Sequence, residues 1–157
     1  VSMCDMDAVI FRFPNVIGPR LTHGVIFDFI KKLRRNPSEL EILGDGTQCK
    51  PYIYVNDLVK AIVMLTTKMD KGEAIYNLSV NSAGTTVTRI AEIVVEELGL
   101  ASVKFKYTGG DRGWKGDVPR FEYDISKVLS TGWNPKHTSD EAVRQTVRDA
   151  ISAENGV

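Results

Sequence analysis

The chain has 157 residues, enough for one domain with a respectable core, and its hydrophobic (43%) and charged (25%) fractions are ordinary for a globular protein. Lys+Arg and Asp+Glu both number 20, so no net charge draws it to nucleic acid or to an anionic membrane. No apolar run reaches the roughly 18–20 residues of a membrane span.

Ala8 to Phe13 is a short apolar run between Asp7 and Pro14, the pattern of a central parallel strand. A buried strand this close to Val1, with no signal pattern, reads as a chain cut in mid-domain. Pro14 and Pro19 predict an extended, irregular segment. From Gly24, the residues Val25, Ile26, Phe29, Ile30 and Leu33 recur at helical spacing; basic residues end this helix and Asn36-Pro37 stops it. Leu40–Leu43 is a brief strand turned by Gly44-Asp45-Gly46, and Tyr52–Val55 is another. Asn56 or Asp57 is expected to cap a helix carrying Leu58, Ala61, Ile62 and Leu65 on one face.

Ala74–Val80 is a third apolar strand. Thr88 is the expected cap of a helix built on Ile90, Ile93, Val94 and Leu98, which Gly99 ends. Val103–Tyr107 alternates as a strand and leads into a glycine-rich loop, Gly109–Gly116. Asp124–Leu129 and Ser139–Ile151 read as a short and a final amphipathic helix. Strands alternating with helices predict an α/β fold with a partly parallel sheet, and an unpaired edge with an uncovered apolar face would favour self-association. Cys4 and Cys49 lack metal-ligand spacing and fit reduced thiols of a cytoplasmic protein.

Two motifs invite a misleading assignment. Gly110, Gly113 and Gly116 match the GxxGxxG spacing of a dinucleotide loop, but Asp117-Val118-Pro119-Arg120 follows where a helix should open its amides to phosphate. An ordinary or substrate-side loop is expected instead. Tyr123 and Lys127 match Tyr-x-x-x-Lys, a pair in which lysine lowers the phenol pKa for acid–base work. Asp124-Ile125-Ser126-Lys127 reads instead as a structural helix start.

A series of motifs in order carries a resemblance. They are Arg12-Phe13-Pro14-Asn15-Val16-Ile17-Gly18-Pro19-Arg20, Gly44-Asp45-Gly46-Thr47-Gln48, Tyr52-Ile53-Tyr54-Val55-Asn56-Asp57, Tyr76-Asn77-Leu78, Gly116-Asp117-Val118, Asp124-x-Ser-Lys127 and Gly132-Trp133-x-Pro135. Together, over nearly the whole chain, they resemble the C-terminal half of NAD-dependent epimerases/dehydratases, the extended short-chain dehydrogenase/reductases, with UDP-glucose 4-epimerase-like enzymes as the nearest match. The resemblance implies the C-terminal part of an NAD(P)-binding Rossmann-type fold with the small α/β substrate-binding domain. Residues 1–157 would then be the substrate-binding portion with the last strands of the Rossmann sheet, the NAD-binding portion and the catalytic tyrosine–lysine pair lying upstream of Val1.

The same resemblance implies the site. Phe13 falls where an aromatic residue approaches the nicotinamide of NAD. Asn15 looks like the asparagine that bonds the sugar or diphosphate. Gly24 and Val25 look like a backbone contact at a helix start, and Glu41 and Leu43 flank the base. Lys50 stands where the family has a diphosphate-gripping arginine, keeping the charge but losing the two-pronged geometry. Asp117 looks like the carboxylate for the ribose hydroxyls; Trp114 replaces the family's arginine before it, and Arg112 or Lys115 could supply that cation. His23 and His137 read as surface or structural residues.

In the implied chemistry, NAD takes a hydride from the sugar C4, and the 4-keto sugar turns about its diphosphate before the hydride returns. This chain would hold the UDP-sugar meanwhile, as a fragment inactive alone that binds NAD not at all or weakly. The complete enzyme would be a homodimer without nucleic-acid or membrane partners. A 4,6-dehydratase or reductase fragment, and a separate non-catalytic binding module, are the alternatives.

Overall fold

The computed structural model describes residues 6–68, 72–113, 116, 118 and 120–155. Among the described residues, eight strands and five helices follow one another as β1 (Ala8–Arg12), β2 (Asn15–Ile17), α1 (Val25–Arg35), β3 (Glu39–Ile42), β4 (Cys49–Lys50), β5 (Tyr52–Tyr54), α2 (Val55–Thr67), β6 (Glu73–Asn77), β7 (Thr85–Thr86), α3 (Val87–Glu97), β8 (Lys104–Tyr107), α4 (Ser126–Leu129) and α5 (Ser139–Asn155). The strands associate in pairs: β1 with β6, β2 with β5 and β3 with β8 are parallel, and β4 with β7 is antiparallel. The α/β class with parallel strands is therefore present. Parallel partners such as β1 and β6 need a long crossover, and the chain between them contributes α1 and α2.

Two apolar clusters hold the fold. In the larger, Ile26, Phe29, Ile30 and Leu33 of α1 pack with Leu40 and Ile42 of β3, Ile90, Ile93 and Val94 of α3, and Val143 and Val147 of α5. The periodicity that marks α1 and α3 in the sequence is the face each buries. In the smaller, Leu58, Ala61 and Leu65 of α2 meet Leu78, Val80, Ile125, Val128 and Trp133. Val59 and Val63, one turn apart on α2, stay about half exposed, as does Ile10 of β1 at 43%.

Several local expectations change. The proline-bounded segment is not wholly irregular, because Asn15–Ile17 pairs with Tyr52–Tyr54 as β2. Neither Asn56 nor Asp57 caps α2: Tyr54 is the N-cap, the helix starts at Val55, and Asp57 lies inside it. Its buried carboxylate instead accepts from the Lys136 and His137 backbone amides (3.1 and 3.0 Å) and meets His137 Nδ1 at 2.8 Å. Thr86, not Thr88, caps α3, accepting from the Arg89 amide at 3.0 Å. In both helices the expected cap residue lies inside the helix with its side-chain oxygen bonded to a tertiary partner. The final helix runs on to Asn155.

Among the described residues, no helix is long and apolar enough to cross a membrane. Cys49 is a half-buried free thiol, and Cys4 lies outside the described residues.

Candidate nucleotide-sugar site

A cavity of about 780 Å³ opens where β1 ends, β2 begins and α1 starts. Phe13, Asn15, Gly24, Val25, Leu43 and Lys50 all line it, so six of the sequence-predicted positions come together. Its size is that of a site for a ligand of several rings, and its wall is largely apolar with few polar groups.

Each element delivers its residue for a local reason. β1 ends before Pro14, which carries no amide for the ladder, and the chain turns with Phe13 44% exposed at the cavity. The Phe13 carbonyl accepts a hydrogen bond from the Tyr123 hydroxyl at 3.1 Å, which holds this turn in place. Asn15 follows at the start of β2, exposed, in register with Tyr52. Gly24 is the N-cap of α1 with φ +93°, a conformation that suits glycine, and no side chain caps the helix. The opening amides of α1 therefore remain available to an acceptor, in the part of the helix where partial positive charge gathers. Asp28 in the first turn would oppose an anion, but Lys32 Nζ sits 2.9 Å from its carboxylate. Lys50 is half-buried at the end of β4, and His23 adds an imidazole to the wall. Cation, imidazole and helix amides together favour an anionic group such as a diphosphate.

The wall opposite is a pinned turn. Gly44 accepts from the Gly109 amide at 2.9 Å and donates to Thr108 Oγ1 at 2.8 Å; the Thr88 amide reaches the Gly46 carbonyl at 3.1 Å. Gly44 has φ +80°, and a Cβ there would fall 2.0 Å from Gln48 Nε2. The Asp45 carboxyl, bonded by the Thr47 hydroxyl and amide, is held below its usual pKa. The turn does not return the chain as a hairpin, since β3 pairs with β8 and β4 with β7.

Glu41 and Arg112 do not line the cavity. Glu41 lies in β3 opposite Lys106, with its carboxylate 3.8 Å from Lys32 Nζ. Arg112 lies in the glycine-rich loop, its carbonyl 3.0 Å from the Cβ position of Gly44, and its neighbour Gly113 reaches the cavity wall. Lys115 and Asp117, with Trp114, lie outside the described residues. Sequence reasoning gave no role to Gln48, Leu21 or Tyr52, which also line the cavity. Gln48 closes the Gly44-Asp45-Gly46-Thr47-Gln48 motif, and its period-2 offset from Lys50 is the signal the sequence carries for it.

The two misleading motifs resolve as loop and scaffold. Among the described residues, no helix follows Gly110–Gly116 before α4, so helix amides do not open onto that loop. The fit of a dinucleotide pyrophosphate to it is poor for that reason. Tyr123 donates to Phe13, as above. Lys127 Nζ donates to the Ile75 carbonyl at 2.8 Å and lies 4.6 Å from the Tyr76 ring centroid. Both side chains tie the C-terminal segment to β1 and β6. Asp124 Oδ1 accepts from the Ser126 amide (2.9 Å) and hydroxyl (2.6 Å), which starts α4 and holds the Asp124 carboxyl below its usual pKa.

Comparison with known proteins gives this architecture its class. Residues 2–79 match the NAD dependent epimerase/dehydratase family, and the chain belongs to that family. Its fold is that of part of an extended short-chain dehydrogenase, mixed α/β with parallel strands. A crystal structure of a UDP-galactose 4-epimerase superimposes with a TM-score of 0.75 at 39% identity, over 92% of this chain and 45% of that one. The UDP-glucose 4-epimerase of Thermotoga maritima, solved with UDP-glucose, gives a TM-score of 0.75 at 28% identity, over 93% of this chain and 46% of that one. The dTDP-D-glucose 4,6-dehydratase of Mus musculus is 30% identical over 142 residues, 88% of this chain and 39% of that protein. Further solved relatives are complexes with NAD. The chain thus spans less than half the length of the relatives it matches.

Proposed function

We propose that this chain is the nucleotide-sugar-binding portion of a UDP-sugar 4-epimerase of the UDP-glucose/galactose type, and that residues 1–157 act by positioning substrate rather than by chemistry. The observation that carries the reading is the cavity, in which Asn15, the uncapped start of α1 and Lys50 face one space of about 780 Å³. In this reading Lys50 and the α1 amides hold the diphosphate, Asn15 bonds the sugar or phosphate, and Leu43 lies against the base. Asp117 takes the ribose hydroxyls, with Arg112 or Lys115 beside it, and Phe13 faces the nicotinamide of an NAD bound mainly by an upstream portion; Glu41, assigned beside the base by resemblance, lies off the cavity in β3. The complete enzyme works in the cytoplasm as a homodimer. A 4,6-dehydratase is the second reading, favoured by the 30% identity to the mouse enzyme.

Calorimetric titration of the chain with UDP-glucose, dTDP-glucose and NAD tests this. UDP-glucose is expected to bind, dTDP-glucose more weakly, and NAD not at micromolar concentration. Preference for dTDP-glucose would select the dehydratase reading. Micromolar NAD binding would return the Gly110 loop to candidacy.

A further inference from the structure

Gln48 is 2% exposed and lines the cavity, yet neither Nε2 nor Oε1 of its side chain has a hydrogen-bond partner. Among the described residues, no other buried side-chain nitrogen or oxygen lacks a partner. Buried amides normally satisfy both atoms, so an amide with neither satisfied at a cavity wall marks a place where a ligand can supply them. The main chain here is fixed: the Gln48 carbonyl accepts from the Val87 amide at 3.0 Å, and the Gly44 turn closes over the side chain.

The neighbourhood identifies the ligand group. Gln48 and Lys50 lie two residues apart on an extended stretch, so they share one side, roughly 7 Å apart. Gln48 therefore meets the part of a nucleotide next to the phosphates held at Lys50. Beside it stands Leu43, an apolar side chain 48% exposed at the same wall. An apolar surface next to a paired donor and acceptor fits a flat heterocycle with a donor–acceptor edge, and a ribose offers no such face. We propose that Gln48 reads the base of the nucleoside diphosphate, its amide bonding the edge of a uracil whose face rests on Leu43. This rests on the reading of the cavity as a nucleotide-sugar site.

The test titrates UDP into the chain and into Gln48→Leu, with melting temperatures of both. In the ligand-free protein Gln48→Leu removes no partnered group, so its melting temperature is expected to equal or exceed that of the parent. Its UDP affinity is expected to fall roughly tenfold, as for one or two lost hydrogen bonds. Independently of the variant's folding, UDP is expected to shift the Gln48 side-chain NH₂ pair in 15N–1H spectra of the unmodified chain. Equal UDP affinity in both proteins, or an unmoved NH₂ pair at saturation, overturns the assignment. A parent chain that fails to bind UDP refutes the nucleotide reading itself, and the role of Gln48 with it.

Discussion

Asp57→Ala should be among the most damaging single changes in this chain. Asp57 is 3% exposed on α2, and one oxygen, Oδ2, receives the Lys136 amide, the His137 amide and His137 Nδ1 at 3.1, 3.0 and 2.8 Å. These bonds fasten the segment between α4 and α5 to the start of α2, and the His137 ring also tilts against Tyr54 at 5.1 Å. Hydrogen bonds to a charged group contribute about 1.5–3 kcal/mol each. Lys136 is exposed and its amide regains water in the variant, so the three do not sum fully. Loss of about 3–5 kcal/mol is expected, as when one member of a buried charged cluster is removed. Asp57→Asn keeps an oxygen in place without the charge and should lose about half of that. Urea unfolding of the three proteins measures both values, and native-state hydrogen exchange should show residues 136–138 opening first. A loss under about 1 kcal/mol for Asp57→Ala would refute the reasoning, because it would mean that the α4–α5 segment is held by its other contacts, Trp133 packing among them, and not by Asp57.

Three further outcomes can be measured. Lys50→Ala is expected to weaken UDP binding by roughly 1–3 kcal/mol and to flatten its salt dependence, read by calorimetry at two ionic strengths. Tyr54, buried and donating to Asp149 Oδ2 at 2.7 Å, has its pKa pushed up from 10.0 to about 12, chiefly by burial. Because the folded value is the raised one, the stabilisation is present below pH 10 and is lost as pH rises toward 12; Tyr54→Phe should reduce that alkaline loss in pH-dependent melting. Glu97 is held below the usual carboxylate range by Arg148 and then Arg144, and Glu96 chiefly by Arg144. Depressed folded values give stability that is present above the unfolded value near 4.5 and is lost as pH falls below it. Arg144→Met should therefore shrink the drop in melting temperature between pH 7 and pH 4.

Helices α1 and α3 were legible because each buries one face, and the 3.6-residue period of Ile26, Phe29, Ile30 and Leu33 states that face directly. β1 was legible as a dense apolar run. β2, β4 and β7 were not, since strands of two or three residues carry no period and exist only through partners distant in sequence. The caps of α2 and α3 were misread for a related reason. Asp57 and Thr88 have the right chemistry for capping, and His137 and Tyr107, 80 and 19 residues away, claim their oxygens instead.

The site divides along the same line. Residues whose place at the cavity follows from backbone position, such as Gly24 at a helix start and Asn15 after a strand, could be located by motif, because the motif and the turn are the same constraint. Gln48 could not be given a role that way. Its signal is a deficit, two buried polar atoms without partners, and a deficit exists only once every neighbour has been placed. Lys50 falls between the two cases. Its motif position marks it, while its consequence depends on geometry: an ammonium lining the same cavity as the start of α1 would meet a diphosphate as a point charge, where an arginine would fix its orientation with two parallel bonds. Under the proposed function, a substrate that turns about its diphosphate would be held by a single ammonium at Lys50 without being locked in one pose.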